Sequence, residues 1–212
     1  MPVARVAILS AVVSLSSIAS ADDVMPPGPE QPVPPAKAVP ALRMSVEIDP
    51  ADYTLYDGWG VFVGIRPEAT GRWRFRLGGG AATLPKAATE TNDNNKGWRQ
   101  RLEPVVTLAA HRYFGRGRGG FFVGPVVGVS SLTFTAPSGG EVDVRNVFAG
   151  IDFGYRWFPF DRFGLVITPH LGAIVPIYKS NEPTVEMETY DLLPVIPLPQ
   201  LLVGYECDVL GG

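Results

Sequence analysis

The residues of this sequence that could do chemistry are charged side chains that recur at every second position. Arg72, Arg74 and Arg76 are the clearest case, because one apolar residue separates each from the next. A side-chain period of two puts all three on one face of a β-strand. Read along the chain, such polar rows carry both signs of charge: Glu47, Arg66, Arg72, Arg74, Arg76, Arg99, Arg101, Glu103, Asp152, Arg156 and Glu206. Because buried charges need partners, we expect an ion-paired network, with an arginine-lined passage for anions as the alternative.

Nucleophiles and metal ligands are sparse. The two histidines, His111 and His170, both fall on polar rows, and no His-x-Ser pair of the lipid A deacylase kind occurs near Ser130. The single cysteine, Cys207, excludes an intrachain disulfide and any multi-cysteine metal site. The acidic segment 179–191 is expected to be a solvated loop, with divalent-cation binding as the alternative. The sequence therefore predicts no catalytic residue, no metal site and no cofactor.

Strands must position these rows, and the stretch 142–158 shows the pattern best. Its odd-numbered positions from Val147 to Trp157 are apolar, whereas its even-numbered positions include Asn146, Asp152 and Arg156. Strict alternation over this length indicates a strand with one apolar and one polar face. We count eight such segments between residues 43 and 207, and none of them has a helical period.

The breaks between these segments suggest how the strands are joined. Two breaks are long and polar, at 85–97 and 179–195. If the chain enters the barrel from the periplasmic side at residue 43, both long breaks fall on the outer side. An even strand count with short turns on one side and longer loops on the other is typical of a bacterial outer-membrane barrel. We therefore predict an all-β fold, an eight-stranded antiparallel up-and-down transmembrane β-barrel.

Composition and the N-terminus add the cellular context. Residues 1–21 have a basic start, a short apolar stretch and an Ala-Ser-Ala cleavage site, which predicts a secretory signal peptide. Residues 22–42 are rich in proline and predict an extended periplasmic tail. The barrel is assigned to residues 43–207 and a C-terminal tail to residues 208–212. With a net charge of −3 and no basic stripe, the chain is not expected to bind nucleic acid.

Alternation alone does not say whether the apolar faces meet a core or lipid. Glycine falls mostly on the polar face, where a narrow eight-stranded lumen would need small residues to make room for large ones. Aromatic residues sit near strand ends on the apolar face, where they predict interface positions: Trp59, Trp73, Tyr155, Trp157 and Tyr205. These features favour a membrane barrel over a soluble, lipocalin-like barrel.

Several of these stretches also resemble a known group of proteins. The stretches on which the resemblance rests are GWGVFVGIRP (58–67), FFVGPVVG (121–128), GYRWFPF (154–160) and VGYEC (203–207). On these the chain resembles the small outer-membrane β-barrel proteins of Gram-negative bacteria, the group around the OmpA transmembrane domain. The resemblance implies insertion by the barrel assembly machinery. Such barrels usually end on an aromatic residue, and here Cys207 stands at that position.

The predicted function follows from the architecture. We expect a non-enzymatic outer-membrane protein, with a lumen plugged by ionic side chains and a role in membrane integrity or adhesion. A narrow passive channel for small solutes is the first alternative, and a lipid-modifying enzyme is the second. The expected partners are outer-membrane lipids, lipopolysaccharide and the assembly machinery, and the expected state is a monomer.

Overall fold

The computed structural model describes residues 42–90, 92–115, 117–160 and 162–210. The signal peptide predicted at 1–21 and nearly all of the proline-rich segment lie outside the described residues. Within these ranges the chain forms ten strands: β1 (Leu42–Ile48), β2 (Trp59–Pro67), β3 (Trp73–Thr83), β4 (Arg99–Phe114), β5 (Gly120–Thr135), β6 (Glu141–Arg156), β7 (Leu165–Lys179), β8 (Thr184–Val185), β9 (Glu188–Thr189) and β10 (Ile196–Leu210).

Eight of these strands close into one antiparallel barrel, in the order β1-β10-β7-β6-β5-β4-β3-β2. The predicted eight-stranded antiparallel barrel is therefore confirmed. The first and last strands close it, and their pairing runs from Leu42 with Leu210 to Ile48 with Val203. Because β10 continues to Leu210, Asp208 belongs to the barrel wall and forms an ion pair with Arg43 at 3.3 Å, so the boundary predicted at residue 207 falls too early.

The barrel has two different ends. We call the end where β1 begins and β10 finishes the terminal end, and the opposite end the loop end. Turns of the terminal end fall at 68–72, 115–119 and 157–164. The loop end carries helix α1 (Pro50–Thr54), helix α2 (Lys86–Thr89) and the β8–β9 hairpin. Both helices span only about one turn, and no helix in the described part of the chain could cross a membrane.

Glycine residues on the inward rows make room for large side chains, as the sequence predicts. A Cβ atom added to Gly64 would lie 2.1 Å from the guanidinium of Arg74. One added to Gly78 would lie 2.3 Å from the ring of Phe62. These close approaches show why the lumen alternates glycine with arginine and phenylalanine, since a side chain of any size at these positions would displace its neighbour.

One extra residue in β4 changes which side chains point inward. Between Leu102 and Val105 the pairing with both neighbouring strands shifts by one, which marks a β-bulge at Glu103 and Pro104. Proline tolerates such a position because it has no amide hydrogen to donate to the ladder. Beyond the bulge the phase of the strand reverses, so that Leu102 faces the lumen and Arg101 faces outward.

Candidate functional site in the lumen

Glu47 lies at the centre of the charged lumen, and its side chain is fully buried. Its Oε1 atom accepts hydrogen bonds from Arg74 Nη2 and Arg156 Nη1, each at 2.5 Å, and from the Ser45 hydroxyl at 3.0 Å. Arg74 also donates to the Ser45 hydroxyl at 2.6 Å. Three strands, β1, β3 and β6, therefore meet at one carboxylate.

A second carboxylate extends this network toward the terminal end. Arg156 Nη2 donates to Glu206 Oε2 at 3.0 Å, and Arg118, from the turn before β5, approaches Glu206 Oε1 at 3.4 Å. The guanidinium groups of Arg118 and Arg156 both stack on the ring of Phe158, at 5.3 and 5.4 Å from its centroid. Cation–π contacts of this kind stabilise a desolvated guanidinium.

The third carboxylate, Asp152, lies in one layer with both histidines of the chain, of which it contacts His111 directly. Arg76 Nη2 donates to Asp152 Oδ2 at 2.7 Å, and His111 Nε2 lies 3.2 Å from the same oxygen. His170 Nε2 lies 3.3 Å from Arg76 Nη1. The ring of Phe122 packs beside the ring of His111, with 4.5 Å between the two centroids.

Together these groups form an ionic plug, which we define as Glu47, Arg74, Arg76, Asp152, Arg156 and Glu206 with the two histidines. All of them are buried. Three arginines face three carboxylates, so the plug is balanced in charge without its histidines. Balanced pairing is needed, because an uncompensated charge in a low-dielectric interior costs several kcal/mol. Six of the residues predicted for the lumen network are brought together here.

The other five predicted lumen residues lie elsewhere. Arg66 is half-buried at the terminal end and donates to the carbonyls of Gly117 and Arg118 at 3.4 and 3.0 Å. Arg72 is exposed in the turn before β3, so its prediction as a lumen residue was wrong.

Arg99 and Arg101 are exposed as well, and Glu103 forms an ion pair with Arg101 outside the lumen. Their placement in the lumen was wrong because the β4 bulge reverses the phase on which the prediction relied.

On the loop-end side of the plug the lumen is hollow and mainly apolar. A cavity of about 390 Å³ is walled by Phe62, Val126, Phe148, Ile174 and Leu198, with Arg76 and Asp152 at its floor. A smaller cavity of about 130 Å³ shares the Phe148 and Ile174 walls and extends toward the loop end. Phe62 and Phe148 lie on the same inward rows as the charged residues, and together with Leu102 from the bulged strand they form an apolar chamber that alternation along the sequence does not reveal.

The loop end above β4–β6 is covered by an apolar cap that was not predicted. Trp98, Phe134, Val144 and Tyr190 form its buried core, with Trp98 and Tyr190 packed edge to face at 5.7 Å. Tyr190 also donates a hydrogen bond to the Thr89 carbonyl at 2.6 Å, which ties the two long loops together. The signal for this cap was present in the aromatic residues of the loops, but it requires a contact between segments about one hundred residues apart.

The barrel wall is interrupted between β1 and β10. Strand β1 ends at Ile48, whereas β10 continues from Val203 toward the loop end as far as Ile196, and these last residues pair with β7 alone among the described strands. The chain after Ile48 turns into helix α1, which lies against both β2 and β10. Asp49, almost completely buried, accepts a hydrogen bond from the backbone amide of Ala51 at 2.9 Å, and the backbone amides of Asp52 and Leu201 face the same carboxylate.

Two acidic groups lie where the wall is interrupted. Asp52 reaches toward Gly60, where an added Cβ would lie 2.4 Å from the Asp52 carboxylate oxygen. Burial, together with the nearby charge of Asp49, raises the pKa of Asp52 to about 6. Burial also raises the pKa of Asp49. Both carboxylates line the large cavity.

The remaining residues that could do chemistry are engaged in other ways. Ser130 donates a hydrogen bond to Asn146 at 2.8 Å. In the loop predicted to be acidic, Lys179 pairs with Glu182 at 3.0 Å. Among the described residues, no group of three or more His, Cys, Asp or Glu side chains is placed to hold a metal ion.

The outer surface shows what surrounds the barrel. On β5 the outward side chains from 121 to 129 are apolar and exposed, and those from 131 to 135 are polar. On β6 the outward side chains are apolar from 147 to 155 and polar from 141 to 145. The pairing of β5 with β6 puts the two apolar stretches side by side. A stretch of nine residues matches the roughly 9–11 that a tilted strand needs to cross a bilayer. Charges inside and an apolar belt outside are the arrangement of a membrane-spanning barrel.

The predicted interface aromatics all lie on this outer surface. Trp73 and Tyr205 are exposed near the terminal end, and Trp59 is exposed near the loop end. Tyr155 packs edge to face against Phe121 at 4.8 Å, and Trp157 follows directly after β6. All five side chains are thus exposed and lie near strand ends, and their position at the membrane interface stays a prediction.

Comparisons with known proteins add two solved structures. No protein-family model matches the sequence, and no curated protein matches it. Neisserial surface protein A is 8% identical over 79% of this chain and 94% of its own, with a TM-score of 0.45. A major outer membrane protein from Thermus thermophilus is 15% identical over 79% of this chain and 100% of its own, also with a TM-score of 0.45. Neither similarity is strong enough to assign a role to this chain.

Proposed function

We propose that this chain is a monomeric outer-membrane barrel of a Gram-negative bacterium, with a structural or surface-interaction role and no passive pore. The observation that supports this most directly is the ionic plug. Its arginines and carboxylates fill the lumen between the terminal end and the apolar cavity, and all six are buried. An eight-stranded barrel has an interior just wide enough for side chains, so a filled layer leaves no continuous path for ions.

The membrane part of the proposal rests on the outer belt. Exposed valine, leucine and phenylalanine side chains would be unfavourable in water, whereas contact with lipid chains satisfies them. Closure of the barrel also satisfies the backbone groups that hydrocarbon cannot. Lipids and lipopolysaccharide would contact this belt, and the barrel assembly machinery would insert it. On the cell surface, the β8–β9 hairpin and the loops around it would be available for adhesion.

Conductance of the purified full-length protein in planar lipid bilayers tests the closed lumen. We expect no steady current steps from the unmodified chain. The double variant Glu47→Ala/Arg156→Ala removes a buried pair without changing net charge, and we expect it to give measurable conductance. The shift in gel mobility on heating, which folded barrels show, verifies that both proteins are folded. Reproducible channels from the unmodified protein would instead support the narrow-channel alternative.

A further inference from the structure

The large cavity is bounded along the barrel axis by the ionic plug on one side and lies beside the apolar cap on the other. Its volume of about 390 Å³ falls within the range of small-molecule sites, roughly 300–1,000 Å³. Its walls are apolar, with Phe62, Phe148 and Ile174 contributed by three different strands. An apolar chamber of this size inside a lumen otherwise filled with ion pairs is suited to an apolar molecular body.

The interrupted wall borders this chamber, because Asp49, Pro197 and Pro199 flank the interruption and also line the cavity, with helix α1 lying against β2 and β10 there. We call this place the opening of the wall. Because the amides of a strand point alternately to its two neighbours, residues 197, 199 and 201 of β10 all direct their backbone nitrogens toward the missing part of β1. The Leu201 amide faces the Asp49 carboxylate, and Pro197 and Pro199 have no amide hydrogen. The two prolines therefore present no unsatisfied amide donor on this free edge, and proline is tolerated on an edge strand for that reason.

The charge at this opening indicates what kind of head group would bind. Asp49 and Asp52 both line the cavity, and the one cation among its described lining residues, Arg76, is already paired with Asp152. The Asp49 carboxylate is occupied by backbone amides, but among the described residues no group donates a hydrogen bond to the Asp52 carboxylate. The Asp52 carboxylate packs directly against Gly60, where an added Cβ would lie 2.4 Å from its oxygen.

We propose that the cavity binds a small amphipathic amine, with its apolar body between Phe62, Phe148 and Ile174 and its ammonium group beside Asp52. The acidic opening favours a cation and disfavours an anion, so fatty acids and phosphate-bearing lipids fit poorly. A membrane concentrates amphipathic amines beside the interrupted wall. This site goes beyond the proposed structural role, because a closed lumen requires no ligand.

Isothermal titration calorimetry on the full-length protein in lipid nanodiscs tests the proposal, with empty nanodiscs subtracted. Three probes with the same apolar chain separate the contributions: decylamine, decanol and decanoate. We expect decylamine to bind about tenfold more tightly than decanol, which corresponds to about 1.4 kcal/mol, and decanoate to bind most weakly. Equal affinities for the three probes, or heat no larger than that of empty nanodiscs, would overturn it.

Two variants locate the site. Asp52→Asn should remove the preference for decylamine over decanol and leave decanol binding unchanged. Val126→Trp should fill the chamber and abolish binding of both probes, whereas Val127→Trp, on the adjacent outward position, should leave both unchanged. The heat-induced gel shift verifies that each variant is folded. Decylamine binding that survives in a folded Val126→Trp protein, or a preference that survives Asp52→Asn, contradicts the assignment.

A photoreactive decylamine with a diazirine at the chain end gives an independent readout. We expect its adducts on the chamber walls, at Phe148, Ile174 or Leu198. Adducts confined to outward residues of the belt, such as Val127 and Val129, would mean that the amine only dissolves in lipid, and the proposal would be wrong. The conductance experiment on the plug is unaffected by either result, so the two proposals can fail separately.

Discussion

Glu47 Oε1 and Arg156 Nη1 lie 2.5 Å apart across the lumen, although 109 residues separate them in the chain. The contact joins β1 to β6, which are three strands apart around the barrel. Because Arg74 binds the same oxygen, one carboxylate compensates two arginines. Charge pairs in a narrow lumen thus act as cross-links through the barrel as well as filling it.

Replacing Glu47 should destabilise the barrel strongly. The substitution Glu47→Gln keeps the size of the side chain but leaves Arg74 and Arg156 with one carboxylate fewer in a buried layer. Breaking a buried ion pair by removing one partner costs about 3–5 kcal/mol. We expect a loss of that order in the free energy of unfolding, measured by urea titration in detergent micelles and followed by tryptophan fluorescence.

The control for that measurement is Arg101→Gln, which removes an ion pair with Glu103 on the exposed surface. An exposed pair contributes at most about 1 kcal/mol to stability, so the free energy of unfolding of this variant should be close to that of the unmodified chain. Equal losses in the two variants would show that the plug does not stabilise the fold.

Glycine in the lumen should be far less replaceable than glycine on the outer rows. Gly64→Ala would put a methyl group 2.1 Å from the guanidinium of Arg74, so Arg74 would have to leave Glu47. Gly79 offers a matched control, because a Cβ there would meet only the Val105 carbonyl at 3.6 Å. We expect Gly64→Ala to lower the unfolding free energy by about 1–3 kcal/mol and Gly79→Ala to change it little. A similar, small effect in both would argue that Arg74 moves aside at no cost.

The sequence was sufficient to predict the barrel because its signals are local. Alternation along 147–157 is set by neighbouring residues, and the same holds for the glycines and arginines of β2 and β3. Charged residues of regular strands, such as Arg74, Arg76 and Asp152, are buried in the lumen, on the rows that alternation indicates. Register follows from alternation as long as no residue is inserted.

The features that the sequence did not predict depend on non-local geometry. The bulge at Glu103 and Pro104 inserts one residue, and that single residue reverses the phase of Arg99, Arg101 and Leu102. The early end of β1 is visible only when its pairing with β10 is known. Likewise, the apolar cap requires Trp98 and Tyr190 to meet from different loops.

Asp52 should make stability depend on pH. Because the pKa of Asp52 in the folded barrel is raised to about 6, above the ordinary value of 3.8, the folded state holds this proton more tightly than the unfolded chain. Stability from this group is therefore present below about pH 4 and declines as the pH rises through 6. The free energy of unfolding of Asp52→Asn should therefore equal that of the unmodified protein at pH 4. At pH 7 it should be higher by about 1 kcal/mol, allowing for partial solvent screening.

Urea titrations of both proteins at pH 4, 5, 6 and 7 check this expectation, with the difference between the two curves as the readout. Subtraction removes the contribution of other titrating groups. A difference that is constant across this range would show that Asp52 titrates at its ordinary pKa, and a variant less stable at pH 7 would reverse the predicted sign.

The loop end should face the cell exterior. Met187, between β8 and β9, is the most exposed large apolar residue of the described chain, and Arg72 is exposed at the terminal end. Because Cys207 is exposed, both tests need the Cys207→Ser background. With a membrane-impermeant maleimide on intact cells, Met187→Cys should be labelled and Arg72→Cys protected, whereas both should be labelled after the outer membrane is permeabilised. This orientation is expected because long loops face outward and short turns face the periplasm in outer-membrane barrels. Labelling of Arg72→Cys alone on intact cells would show the opposite orientation.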